Sequence, residues 1–128
     1  MTLAYLDTSA AAKLLIEEPE SAALAEWADD ASVELVATLL LETELRRLAV
    51  RRDVPQMAVS SILDGVSLYE PSASLYREAG ILPGATLRSL DALHLAGALR
   101  LGVDAMATYD DRLADAARSI GLAVVAPS

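Results

Sequence analysis

Cysteine is absent from this 128-residue chain, and histidine and lysine occur once each, as His94 and Lys13. Without cysteine there is neither a disulfide framework nor a thiolate metal site, which accords with a reducing compartment. A lone histidine disfavours the nitrogen-rich ligand sets of zinc. No apolar run approaches the ~18 residues of a membrane span, and the first residues lack the basic, apolar and small-residue succession of a signal peptide. A soluble, cytoplasmic protein with no membrane association is expected. Internal repeats and low-complexity tracts are also missing. Trp27 and the four tyrosines follow no spacing that would make a base-stacking platform, so they are read as packing or interface groups.

Positive charge is scarce in one region above all. No basic residue lies between Lys13 and Arg46, where nine acids fall: Glu17, Glu18, Glu20, Glu26, Asp29, Asp30, Glu34, Glu42 and Glu44. The net charge of -9 is therefore that one segment, because the other ten acids and the ten bases cancel. A global charge of this sign would oppose phosphate binding. The cluster Arg46, Arg47, Arg51 and Arg52 that follows the acidic segment reverses the sign locally.

What is present is a rhythm of short apolar runs and longer amphipathic ones. Leu3 to Leu6 reads as a buried strand ending at Asp7, and Ser9 can cap a helix through Leu15. Glu20 to Asp30 reads as a helix and Glu34 to Ala37 as a strand; Thr38 can cap a helix to about Arg52. Asp53-Val54-Pro55-Gln56 has the capping acid and early proline of another helix, ending near Asp64-Gly65. Val66 to Glu70 is a third strand, Pro71 to Ala79 a helix and Gly80 to Gly84 a loop. Ser89 can cap a helix to Arg100 that Gly102 stops; Val103 to Ala107 is a strand, Asp111 to Ser119 a helix, and Leu122 to Val125 a last strand. The alternation predicts an α/β fold: a three-layer α/β/α domain spanning residues 1–128, with a central parallel sheet of four to five strands. A chain of this length buries roughly two thirds of the surface that it exposes when unfolded.

Acids recur at the carboxyl ends of these strands, the edge where open parallel sheets build their sites. Asp7 follows the first strand and Asp110 the fourth, and Asp91 lies in the first turn of the helix leading into the fourth. Glu44 lies about 40° from Leu40 and Leu48 on a helical wheel, at the edge of the apolar stripe, whereas Glu42 points farther away. Several carboxylates meeting at one edge raise one another's pKa unless a cation joins them. Mg²⁺ and Mn²⁺ suit carboxylate and water oxygens and work beside phosphates, so metal-assisted phosphodiester hydrolysis is the natural chemistry.

Four stretches, in order and spacing, resemble the PIN-domain ribonucleases, and more narrowly the VapC-type toxins of bacterial toxin–antitoxin pairs. They are Leu6-Asp7-Thr8-Ser9-Ala10, Glu42-Thr43-Glu44-Leu45-Arg46-Arg47, Ser89-Leu90-Asp91-Ala92-Leu93-His94-Leu95-Ala96 and Thr108-Tyr109-Asp110-Asp111-Arg112-Leu113. The resemblance implies a metal-dependent endoribonuclease that leaves a 5′-phosphate. Asp7 and Asp91 would be principal Mg²⁺ ligands, Mn²⁺ substituting, with Asp110 and Glu44 completing the catalytic pocket directly or through water. Ser9 and Thr108 would be polar supports behind the metal. The implied partners are RNA, a second copy in a homodimer, and a VapB-like antitoxin forming a hetero-oligomer. That antitoxin would bind DNA and insert a C-terminal segment into the acidic pocket.

Each residue also has a simpler reading. Asp7 and Asp110 could be helix caps, Asp91 could serve the helix dipole, and Glu44 could pair with Arg47. His94, three residues after Asp91 and among leucines, reads as a packed side chain rather than a ligand. The four arginines from Arg46 to Arg52 read first as a solvated, dipole-favoured helix end; Arg47 and Arg51, which fall on the Glu44 side of the helix, are the candidates among them for RNA phosphates. A receiver domain lacks its lysine near the last strand, and a haloacid-dehalogenase-type phosphatase lacks its second aspartate, Ser9 standing there. The remaining rival is a PIN-like module that binds RNA or protein without cutting.

Overall fold

The first strand becomes the middle of the sheet. In the computed structural model, which describes residues 1–128, β1 (Thr2–Leu6) is flanked by β2 (Val33–Thr38) and β4 (Ala105–Ala107). With β3 (Val66–Tyr69) and β5 (Ala123–Val125) outside them, the order is β3-β2-β1-β4-β5, and every pairing is parallel. Ala4, Tyr5 and Leu6 are completely buried, as a strand covered on both faces requires.

Seven helices complete the chain: α1 (Thr8–Leu15), α2 (Ser21–Ala28), α3 (Leu40–Arg51), α4 (Gln56–Leu63), α5 (Ala73–Gly80), α6 (Ser89–Leu101) and α7 (Asp111–Ser119). The chain moves one way along the sheet from β1 to β3 and the other way into β4 and β5. Right-handed crossovers therefore place α1–α4 on one face and α5–α7 on the other, the expected three layers. The direction reverses between β1 and β4, so a crevice opens outside the carboxyl ends of those two strands. α3 turns Leu41, Leu45 and Ala49 into the core at helical spacing, and α7 does the same with Leu113 and Ala117. α6 is buried over most of its circumference and stops at Gly102, whose φ of 66° is the left-handed conformation that glycine adopts without strain.

Every expected strand and helix is present, with bounds shifted by a few residues, but four expected caps are not. Asp7, not Ser9, caps α1 by accepting from the Ala10 N–H at 2.8 Å. Thr38 is the buried last residue of β2, and α3 starts after Leu39 with no side-chain cap. Asp53 takes a left-handed φ of 55° and caps nothing; Pro55 occupies the cap position of α4, and Gln56 bonds back to Arg46. Arg88 stands at the cap position of α6, making Ser89 its first residue.

Gly97 lets α6 approach the sheet. A Cβ there would lie 2.8 Å from Thr38 Cγ2 and 3.3 Å from Tyr5 Cε2. The Thr38 methyl belongs to a β-branched, buried side chain that cannot swing away. Overpacking of this kind costs about 1–3 kcal/mol, which outweighs the ~1 kcal/mol that alanine gains over glycine inside a helix. Gly97→Ala should therefore lower stability in urea denaturation by up to about 2 kcal/mol, the difference between those terms. Adding Thr38→Ser, which removes the methyl and keeps the hydroxyl, should restore most of the loss.

Candidate active site at the β1/β4 crevice

Asp7 ends β1 with its carboxylate only 3 % exposed. Oδ1 accepts from the Ala10 N–H at 2.8 Å, Thr108 donates its hydroxyl to Oδ2 at 2.5 Å, and the Ser9 hydroxyl lies 2.8 and 2.9 Å from the two oxygens. Ser9 in turn accepts the Tyr109 N–H at 2.9 Å, and Thr108 accepts that of Asp110 at 3.1 Å. The strand ends of β1 and β4 are thus bound together through one carboxylate, with Ser9 and Thr108 as its supports. Burial pushes the Asp7 carboxyl above the usual aspartate range, against the hydrogen bonds from Thr108, Ala10 and Ser9 and the nearby His94.

In front lies a cleft of about 700 Å³ lined by Glu44, Asp91 and Asp110 together with Asp111, Arg88 and Arg112. Asp110 caps α7 through Oδ1, which accepts the Leu113 N–H at 3.0 Å. The Asp91 carboxyl is raised first by burial and then by the charge of Asp110; Asp7 and Glu44 add to the rise and His94 opposes it. The four acids expected from the sequence therefore share one electrostatic neighbourhood. Asp110 both caps α7 and lines the cleft, whereas Asp7 caps α1 and is buried, outside the cleft's lining.

Glu44 is held from behind. Its expected partner Arg47 makes no ion pair with it; instead Oε1 accepts from His94 Nε2 at 2.5 Å and from the Thr8 hydroxyl at 2.8 Å. Burial alone would raise the Glu44 carboxyl, but the hydrogen bonds from His94 and Thr8 hold it below the usual glutamate range. His94 is 2 % exposed and packed, as expected, and its Nδ1 lies 2.7 Å from the Tyr5 hydroxyl. Arg47 and Arg51 are exposed and line a neighbouring cleft of about 560 Å³ that Glu44, Thr8 and Ser9 also border. Sequence reasoning passed over Arg88 and Arg112 as cleft residues and Tyr5, Thr8 and His94 as the support of Glu44. The only local hint was the one-turn spacing of His94 from Asp91.

A profile of the PIN domain matches residues 4–119. Ribonuclease VapC35 of Mycobacterium tuberculosis is 44% identical over 130 residues, covering 96% of each chain. The chain belongs to the PIN-domain family, among its VapC members. Two solved structures share this PIN fold: M. tuberculosis VapC20, a Sarcin-Ricin loop cleaving toxin, with TM-score 0.75 and 21% identity, and VapBC2 of Rickettsia felis bound to a promoter DNA fragment, with TM-score 0.74 and 15% identity. They cover 97% and 98% of this chain, and it covers 99% of each of theirs.

The divalent metal implied by the family can be tested against the donors present. No three carboxylate or imidazole groups close around a common point as the side chains stand. Mg²⁺ does not demand such a cage, since it usually takes one or two carboxylates and keeps several waters. The unspent acceptors suit it. Asp91 is engaged by no protein donor, Asp110 keeps Oδ2 and Glu44 keeps Oε2. At Asp7, Ser9, Thr108 and Ala10 supply three protons to about four lone-pair positions, which leaves one. The donor set therefore fits a hard, water-rich cation.

The pKa of Asp7 has a consequence for stability. It is raised on folding, so the group's favourable contribution is complete below the unfolded pKa and is lost as pH rises through the folded one. Wherever the folded group is ionised, its burial is a net cost. Asp7→Asn keeps an acceptor for the cap, so in chelator its melting temperature should exceed that of the wild type at pH 7, with the gap narrowing towards pH 4. A gap that widens on acidification would contradict this.

Proposed function

We propose that this PIN-domain chain, acting as a single unit over residues 1–128, is a divalent-metal-dependent endoribonuclease. The observation that carries the reading is the convergence of Glu44, Asp91 and Asp110 on one cleft at the carboxyl edge of the sheet, with the buried Asp7 at the end of β1 tied to Thr108 at the end of β4. The VapC relatives bear the name ribonuclease, which accords with it.

In this reading Asp7 and Asp91 anchor Mg²⁺, or Mn²⁺ in its place, with Asp110 beside them and Glu44 acting directly or through water. Bound there, the ion supplies positive charge against the charge that develops on the phosphodiester. Ser9 and Thr108 hold the Asp7 carboxylate in one orientation, and Glu44 offers Oε2 to orient a water or accept its proton. Water adds across the P–O3′ bond, leaving a 5′-phosphate and a 3′-hydroxyl. Arg47 and Arg51 on one side of Glu44, and Arg88 and Arg112 within the cleft, give flanking phosphates a positive contact despite the acidic net charge. A cytoplasmic toxin of this kind acts as a homodimer and is restrained by a cognate VapB-like antitoxin in a hetero-oligomer. The VapBC complex among the fold's solved structures supports that partnership.

Cleavage of total cellular RNA by purified protein, with Mg²⁺ or Mn²⁺ and with chelator, tests the reading. Discrete products are expected that require metal, and both Asp7→Asn and Asp91→Asn should lower the rate by about 10²-fold or more, as removal of a group stabilising developing charge does. Mg²⁺ should also raise the melting temperature of the wild type by mass action and leave that of Asp91→Asn unchanged. RNA retained intact by the wild type would favour a module that binds without cutting. Arg47→Ala and Arg51→Ala should weaken RNA binding similarly across sequences, each flattening the slope of log affinity against log salt by about one.

A further inference from the structure

A buried chain of polar groups runs from the core to the cleft. The Tyr5 hydroxyl, at the centre of the sheet, accepts the Thr38 backbone N–H at 3.3 Å and lies 2.7 Å from His94 Nδ1. Thr38 uses one lone pair of the phenol, and the 2.7 Å separation favours donation of the phenol proton to Nδ1, the nearer of its two remaining partners; Thr38 Oγ1 is 3.3 Å away. Burial pushes the Tyr5 hydroxyl up to about 12, so it keeps that proton at any working pH. The imidazole proton is then carried on Nε2 and points at Glu44 Oε1, 2.5 Å away. Thr8 delivers its hydroxyl to the same oxygen at 2.8 Å.

Both donors engage Oε1, which leaves Oε2 as the unengaged oxygen of a side chain that lines the cleft. The terminal torsion of a glutamate is broad, so an unsupported carboxylate would turn freely between its two faces. Two donors on one oxygen remove that freedom. We propose that His94, with its tautomer set by Tyr5, is a positioning residue that fixes the Glu44 carboxylate for the reaction at the crevice. This rests on the ribonuclease reading given above. It differs from a packing role, since a histidine that only filled space would need neither nitrogen.

A double-mutant cycle separates the two roles. His94→Leu keeps the bulk and removes both nitrogens; His94→Gln keeps one donor and one acceptor. With folding checked by thermal melting, His94→Leu should lower single-turnover cleavage by about 10–100-fold, the usual effect of losing a group that orients a site carboxylate. His94→Gln should recover most of it. In a Glu44→Gln background the same His94→Leu change should cost less than about twofold, because the residue through which it acts is already altered. An equal loss in both backgrounds overturns the proposal.

A readout independent of activity uses the ring nitrogens. Nitrogen-15 spectra of the wild type should show a protonated Nε2 and an unprotonated Nδ1, and Tyr5→Phe, which removes one hydroxyl from an otherwise unchanged ring, should disturb that assignment. A neutral ring with its proton on Nδ1 overturns the proposal. Wild-type protein that cuts no RNA would overturn the ribonuclease reading, while the nitrogen spectrum would still decide whether His94 holds Glu44. Cleavage by Glu44→Gln at the wild-type rate would overturn the positioning role alone.

Discussion

The Asp7 carboxylate joins three parts of the chain that the sheet alone does not fasten. It ends β1, caps α1 and accepts the Thr108 hydroxyl from the end of β4, across the line where the strand order reverses. Parallel strands separate beyond their last ladder bond, and the crevice that results is normally open to water. Here a buried carboxyl group keeps the two strand ends together, and the hydroxyls of Ser9 and Thr108 replace the water it has lost. That replacement is incomplete, as the raised carboxyl pKa records. A fold chosen for stability alone would place a neutral amide there. This chain keeps a carboxyl group there instead, and burial raises the Asp91 carboxyl as well.

A second layer stands behind the first. Tyr5, Thr38 and His94 are all buried, no buried side-chain polar atom lacks a partner, and the network reaches solvent at Glu44 and Thr8. Polar networks of this kind favour a single arrangement when every member is satisfied. Two of the four acids are therefore held by different means: Asp7 by hydroxyls and a backbone amide at a strand end, Glu44 by an imidazole rooted in the core. Asp91 and Asp110, less constrained, form the face of the cleft.

Much of this architecture was visible in the residues. Apolar periodicity and the glycines at 65, 102 and 121 marked the elements, and the strand–helix alternation implied a parallel sheet with acids at its carboxyl edge. The wheel position of Glu44 turned it correctly towards the sheet. The α1 cap was misread because Asp7, Thr8 and Ser9 stand in a row, and only the tertiary partners Thr108, Glu44 and Tyr109 decide which of them is free. Thr38 looked like a cap because its hydroxyl's environment lies 33 residues away, at Tyr5. The link between His94 and Glu44 spans 50 residues and two helices on opposite faces of the sheet, meeting beyond its edge, and no local pattern encodes it.

The missing side chain of Gly97 reaches farther than its own contact. Asp91 and His94 ride on the same helix, six and three residues upstream, or about 9 and 4.5 Å along its axis. The distance of α6 from the sheet is set where Gly97 meets Thr38 and Tyr5. That contact works as the fulcrum of a lever: a few tenths of an ångström of lift there tilts the end of the helix that carries the cleft. Residues 5, 38 and 97 touch no substrate, yet they form a steric unit whose members can change only together, and the spacing of the carboxylates is inherited from their combined size.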